Sequence, residues 1–74
     1  MSAIQKVDAM GLRCPHPVLV LGNETARTPP GTVVEITADC PTLEKDVRQF
    51  CERRGKTILA VLGRAPTLTI QIQY

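Results

Sequence analysis

The pattern of hydrophobic and polar residues along the chain predicts four β-strands and two α-helices. The clearest strand is residues 67–73, where Leu68, Ile70 and Ile72 alternate with threonines and glutamines. Alternation with a period of two is typical of a strand with one buried face and one face in water. The remaining strands are predicted at residues 4–7, 32–38 and 57–62. Helices are predicted at residues 16–27 and from an opening at residues 39–42 to about residue 54.

The second predicted helix carries an apolar stripe and is followed by a glycine. The stripe consists of Leu43, Val47, Phe50 and Cys51, whose spacing of i, i+4, i+7 and i+8 places them on one face. Gly55 then ends the helix, as glycine commonly does. We therefore expect Cys51 in the core, where burial among aliphatic side chains makes a thiol unreactive.

The order of the elements, β-α-β-α-β-β, predicts a two-layer α/β sandwich. Because the last strand has a wet face, both helices must cover the opposite face of the four-stranded sheet. The first two strands are parallel, so both helices begin at one edge of the sheet, where open α/β sheets bind ligands. The final hairpin returns antiparallel, which makes the sheet mixed. Its last strand is either the outermost strand of the sheet or lies between the second and third strands.

Cys14 is the main candidate for chemistry, because it lies where the first strand ends and the first helix begins. Proline fits the first turn of a helix, so Pro15 is predicted at the first helical position and Pro17 still within that turn. A cysteine beside the cap faces free N–H groups and the positive end of the helix dipole. Both favour the thiolate, which is the nucleophilic form, and Arg13 adds a neighbouring cation.

Length and charge exclude several classes of protein. The chain has 74 residues, which we expect to form a single domain over residues 1–74, since so short a chain cannot supply two cores. Nine Lys+Arg against seven Asp+Glu give a net charge of +2, and aromatic residues make up only 3%. This charge is too small, and base-stacking side chains are too few, to indicate direct nucleic-acid binding.

The cellular compartment and the cysteine count also bear on the chemistry. The N-terminal residues have no apolar signal-peptide core, and no segment is long enough to span a membrane, so we expect a cytoplasmic protein without a membrane partner. Three cysteines is an odd number for a chain in a reducing compartment. This count argues against a disulfide framework and favours reactive or buried thiols.

The residues around Cys14 resemble a known family signature. Residues 8–17, with Asp8, Gly11, Leu12, Cys14 and the two prolines, are similar to the D-x-x-G-L-x-C-P-x-P signature of the TusA/SirA family of small sulfur carriers. The Pro-Gly turn at residues 30–31 and the helix opening at residues 39–41 are similar as well. The resemblance covers nearly the whole chain, and it implies a sheet with the strand order 1-2-4-3.

The resemblance also implies a function for Cys14. In such carriers the equivalent thiol receives sulfane sulfur as a persulfide from a donor protein and passes it to an acceptor protein. The donor would be a cysteine desulfurase, a rhodanese or a DsrE-like protein, and the acceptor pathway would be tRNA thiolation, molybdenum cofactor maturation or sulfur oxidation. Such a sulfurtransferase-type carrier needs no cofactor and works as a monomer. Leu12 with the rim formed by Pro15 and Pro17 would then contact the partners.

Cys40 departs from the family pattern, because many relatives have an acidic or polar residue there. One interpretation is a second thiol that resolves a Cys14 persulfide or forms a disulfide with Cys14; the other is an unreactive residue at a helix cap. We favour the second interpretation. His16 could shuttle a proton or join both thiols around a metal, but three ligands leave a zinc site incomplete. We therefore expect no metal site and place His16 on the exposed helix surface.

Two residues are expected to support the loop before Cys14. Asp8 is predicted to accept backbone N–H groups in the turn around Gly11. Gly11 itself is predicted to adopt a backbone conformation that other residues avoid. Neither residue is expected to take part in catalysis.

Two alternatives to the sulfur carrier remain open. The first is a non-catalytic regulatory or binding module in which Cys14 is incidental, and an ordinary thiol pKa of about 8.5 for Cys14 would favour it. The second is a redox dithiol made of Cys14 and Cys40, which requires their Cα atoms to lie within about 7 Å.

Overall fold

The computed structural model describes residues 4–13 and 16–74. The elements in chain order are β1 (Ile4–Asp8), α1 (His16–Glu24), β2 (Val33–Ala38), α2 (Leu43–Arg54), β3 (Thr57–Arg64) and β4 (Thr67–Gln73). The strands form one sheet in the order β1-β2-β4-β3. The expected α/β sandwich is confirmed, and β4 lies between β2 and β3 rather than at the edge.

The two central strands separate a dry face of the sheet from a polar one. β2 is parallel to β1 and antiparallel to β4, with Ile36 opposite Ile70 and Val34 opposite Ile72. These four side chains are fully buried beneath the helices. On the other face, the hydroxyls of Thr37 and Thr69 lie 2.9 Å apart. The alternation in residues 67–73 therefore reports the two faces correctly.

β3 is longer and less regular than predicted. It extends to Arg64, and its pairing with β4 is interrupted by a register shift between Ile58 and Ala60. This bulge inserts one residue, so Ile58 and Val61 both pack against the core although they are three positions apart. Leu59 is left half exposed.

Helix α1 is shorter than predicted, because it ends at Glu24 rather than near residue 27. The Thr25 hydroxyl donates to the Leu21 carbonyl at 2.6 Å and also lies 2.6 Å from the Tyr74 hydroxyl. The following amides bond to carbonyls three residues back, as in the pair Ala26 and Asn23. Such tightened turns satisfy the last helical carbonyls and end the helix.

Helix α2 confirms the predicted apolar stripe. Leu43, Val47 and Cys51 are buried, and Phe50 packs at the margin of the core. The helix ends at Gly55 with φ of 68°. Neither helix within residues 4–13 and 16–74 has the length and hydropathy needed to cross a bilayer.

Candidate active site

The starts of both helices lie at one edge of the sheet, as the parallel arrangement of β1 and β2 requires. β1 and β2 run side by side to their ends, and the Ala9 amide continues the ladder by donating to the Thr37 carbonyl at 2.8 Å. The loop at residues 9–13 therefore lies beside residues 39–42, which lead into α2. Both segments line one open pocket of about 450 Å³. Cys14 and Pro15, at the centre of the predicted site, lie outside the described residues.

The loop before Cys14 is held by its own polar groups. Asp8 Oδ1 accepts the Met10 amide at 3.0 Å, and the Ala9 carbonyl accepts the Leu12 amide at 3.3 Å. Gly11 has φ of 80°, a left-handed conformation that a residue with a Cβ rarely adopts. Asp8 thus accepts a backbone amide in the turn and Gly11 adopts a left-handed conformation, which is the local geometry expected for this loop.

Asp39 is a further anchor of this loop, and the sequence analysis missed it. Its Oδ1 accepts the Gly11 amide at 3.1 Å across 28 positions of sequence. Asp39 directly follows β2 just as the loop follows β1. The parallel pairing of these strands was the one signal that could have suggested this contact.

The entrance to α1 is tied back to Arg13. The His16 amide donates to the Arg13 carbonyl at 2.8 Å, and His16 Nδ1 lies 3.2 Å from the same oxygen. This amide is therefore engaged and is not one of the free N–H groups expected to face the thiol. His16 and Arg13 are both exposed, as expected for His16.

Pro17 was predicted to form part of the contact rim, but the structure buries it. It lies in the first turn of α1, as expected, but its side chain is buried below 2% relative exposure. The prediction was wrong because position 17 of α1 faces inward. Leu12, which was expected in the contact surface, is exposed, and so is Met10 in the same loop.

Cys40 borders the pocket from beneath. Its side chain is only 3% exposed, and its sulfur is disulfide-bonded and lies 3.6 Å from Thr42 Oγ1. The N-cap of α2 is Thr42, so Cys40 lies two residues before the cap and does not occupy it. The interpretation of Cys40 as a cap residue was therefore wrong.

Cys51 is the core cysteine that the helical spacing predicted. It carries a free thiol and is 4% exposed. Desolvation by burial raises the pKa of the Cys51 thiol, and the positive charge of Arg48 opposes this effect only in part. A thiol with a raised pKa is a poor nucleophile at neutral pH.

The grouping of possible metal ligands can be given for the part of the chain that the structure describes. Within residues 4–13 and 16–74, no three His, Cys, Asp or Glu side chains are grouped closely enough to hold an ion. The polar groups at the edge instead bind the backbone, as the carboxylates of Asp8 and Asp39 do.

A comparison with protein-family models shows to which family the chain belongs. The model described as "Sulfurtransferase TusA" matches residues 5–73, which is nearly the whole chain. The chain belongs to the TusA family. Members of the TusA family are sulfurtransferases that carry sulfur in relay with partner proteins. The match includes both helix starts, so the pocket at their common edge lies within the part shared with other TusA proteins.

Proposed function

We propose that this TusA-family protein is a sulfur carrier that holds sulfane sulfur as a persulfide on Cys14. The observation that carries the proposal is the family match over residues 5–73, which includes the signature around Cys14. Two features of the described residues support the proposal. The loop that leads to Cys14 lies on an open edge of the sheet, and its neighbour Arg13 is exposed.

The transfer is an exchange between two sulfur–sulfur bonds. The Cys14 thiolate attacks the terminal sulfur of a donor persulfide, the donor's own cysteine leaves as a thiolate, and Cys14 now carries the extra sulfur. An acceptor thiolate repeats the attack in the second step. The positive end of α1 and the cation of Arg13 stabilise the anionic sulfur in both steps. No cofactor enters this exchange.

The partners are proposed to be a donor protein, such as a cysteine desulfurase, a rhodanese or a DsrE-like protein, and an acceptor protein. Met10 and Leu12 expose apolar surface beside the pocket, where a partner would bring its own cysteine close. The carrier would work as a monomer and without nucleic acid. It would act in the cytoplasm, whose reducing conditions keep thiols available for exchange. Its pathway would be tRNA thiolation, molybdenum cofactor maturation or sulfur oxidation.

The test of this proposal is the intact mass of the protein after incubation with a desulfurase and cysteine. We expect the mass to increase by one sulfur atom in the wild type and in Cys51→Ala, because Cys51 is buried away from the edge. Cys14→Ser should show no increase. If no sulfane donor adds mass to the wild type or to Cys40→Ser, or if Cys14→Ser still gains sulfur, the proposal is wrong. An ordinary Cys14 pKa of about 8.5 would favour a binding module instead.

We propose, as a second function, that Cys40 acts with Cys14 as a dithiol. Two observations favour this over an inert Cys40: its sulfur is disulfide-bonded, and it borders the same pocket as Gly11, Leu12 and Arg13. In the proposed reaction the Cys40 thiolate attacks the inner sulfur of a Cys14 persulfide. A Cys14–Cys40 disulfide forms and hydrosulfide leaves, so no external oxidant is needed. A thiol reductant would then supply two electrons to restore both thiols.

The dithiol function is tested with protein that carries a persulfide and has no acceptor protein present. The quantity measured is the hydrosulfide that this protein releases. We expect the wild type to release one sulfide per protein and to yield a Cys14–Cys40 peptide in non-reducing peptide mapping. Cys40→Ser should keep its persulfide under the same conditions. If the wild type retains its sulfur as long as Cys40→Ser does, the dithiol function is excluded.

A further inference from the structure

We infer that Asp39 is a positioning residue for sulfur transfer. Its side chain binds the loop that leads to Cys14, and so connects this loop to the segment between β2 and α2. The inference rests on the proposed carrier function of Cys14. It concerns the hydrogen bond from the Gly11 amide to Asp39 Oδ1, which measures 3.1 Å. Asp39 does not touch the reacting sulfur in this proposal; it acts through the loop.

The hydrogen bonds of the loop differ in what they connect. The bonds from Met10 to Asp8 and from Leu12 to Ala9 lie within the loop and shape the turn itself. The bond from Gly11 to Asp39 joins the tip of the turn to a separate element. The Ala9 amide also bonds to the Thr37 carbonyl, but that bond fixes the base of the loop, whereas the Gly11 bond fixes where the tip lies relative to the pocket and to Cys40.

Beyond the buried Ala9, the loop also needs such an anchor because other forces on it are weak. Met10, Gly11, Leu12 and Arg13 are all exposed, so packing contributes little to holding them. Asp39 is half-buried and follows the fully buried Ala38, so its backbone is fixed by the central strand β2. Because Asp39 is fixed by the sheet, its hydrogen bond to the Gly11 amide holds the loop in a defined position relative to the sheet. Misplacement of a reacting group by about 1 Å is enough to slow a transfer reaction markedly.

The experiment compares three variants by the rate of sulfur uptake from a desulfurase and by hydrogen exchange of the Gly11 amide. Asp39→Ala removes the acceptor, whereas Asp39→Asn keeps an oxygen that can accept the same bond. Asp46→Ala is the matched control, since its carboxylate accepts the Thr42 hydroxyl at the same helix opening and does not contact Gly11. Uptake is measured over a range of donor concentrations, which separates the maximal rate from the half-saturating concentration.

We expect Asp39→Ala to lower the maximal uptake rate about fivefold or more, with the half-saturating donor concentration unchanged, and to speed Gly11 exchange. Asp39→Asn should keep most of the maximal uptake rate and most of the protection of the Gly11 amide. Asp46→Ala should match the wild type in both measurements. The inference is overturned if Asp39→Ala speeds exchange of the Gly11 amide but takes up sulfur at the wild-type rate. It is also overturned if Asp39→Asn protects that amide and still takes up sulfur as slowly as Asp39→Ala. A wild type that takes up no sulfur defeats the carrier function itself, whatever the exchange of Gly11 shows.

Discussion

Single residues at the edge of the sheet and in the core show how environment divides the roles of the cysteines. Cys40 borders the open pocket beside the loop at residues 9–13, whereas Cys51 faces the aliphatic core from α2. The helical spacing alone assigned Cys51, because a stripe with a period near 3.6 must face inward. The contact between Asp39 and Gly11 could not be assigned in this way, since its partners are distant in sequence and meet only through the sheet.

The buried thiol of Cys51 predicts a loss of stability at alkaline pH. Its pKa is raised in the folded state, so the native protein binds a proton that the unfolded chain releases. The stabilising contribution is complete below the ordinary thiol pKa of about 8.5 and is lost as pH rises through the raised value. We therefore expect the free energy of unfolding to fall more steeply above this pH in the wild type than in Cys51→Ala.

The measurement is urea unfolding of both proteins between neutral and alkaline pH under the same redox conditions. At neutral pH the Cys51→Ala variant should be less stable by about 1 kcal/mol, because a buried group has been removed. The pKa of Tyr74 is also raised, chiefly by burial and to a smaller extent by the charge of Cys51, so the tyrosine titrates in both proteins and Cys51→Ala removes only that smaller contribution. Parallel curves for the two proteins would show that Cys51 does not cause the alkaline loss.

At the scale of elements, regular periodicity was predicted accurately and interruptions were not. The alternation of β4 and the stripe of α2 were both confirmed. The bulge in β3 was missed, because Ile58 and Val61 face one side only once an extra residue is inserted between them. The early end of α1 was missed as well. It depends on the hydroxyls of Thr25 and Tyr74, which lie 49 positions apart in the sequence.

The end of α2 provides a test at this scale. Gly55 has φ of 68°, and the amides of Gly55 and Lys56 both bond to the Cys51 carbonyl. No atom would obstruct a side chain at Gly55, so a substitution there changes only the backbone preference. We expect Gly55→Ala to lower the free energy of unfolding by about 1 kcal/mol, since alanine disfavours the left-handed conformation.

Gly55→Asn is the matched variant, because asparagine tolerates the left-handed region better than alanine does. Its loss in urea or thermal unfolding should be clearly smaller than that of Gly55→Ala. Equal losses in the two variants would contradict a conformational origin. Neither substitution should change sulfur uptake, since Gly55 lies at the end of α2 opposite the pocket.

At the scale of the whole molecule, the topology brings the two helix starts together. β1 and β2 are parallel neighbours, so the loop after β1 and the segment after β2 meet at one edge. The insertion of β4 between β2 and β3 then gives the sheet a fully buried centre at Ile36 and Ile70. The edge is consequently attached to the buried centre of the sheet, while residues 10–13 of its loop stay exposed.

The sequence by itself determined the elements, the apolar faces and the TusA-like signature, because periodicity and turn chemistry are local properties of the chain. It also determined that Cys51 is a core residue. Only the tertiary structure decided that Asp39 holds Gly11, that Pro17 is buried and that Cys40 lies beneath the pocket. These features depend on how strands and helices distant in sequence pack together, and a local pattern does not encode those distances.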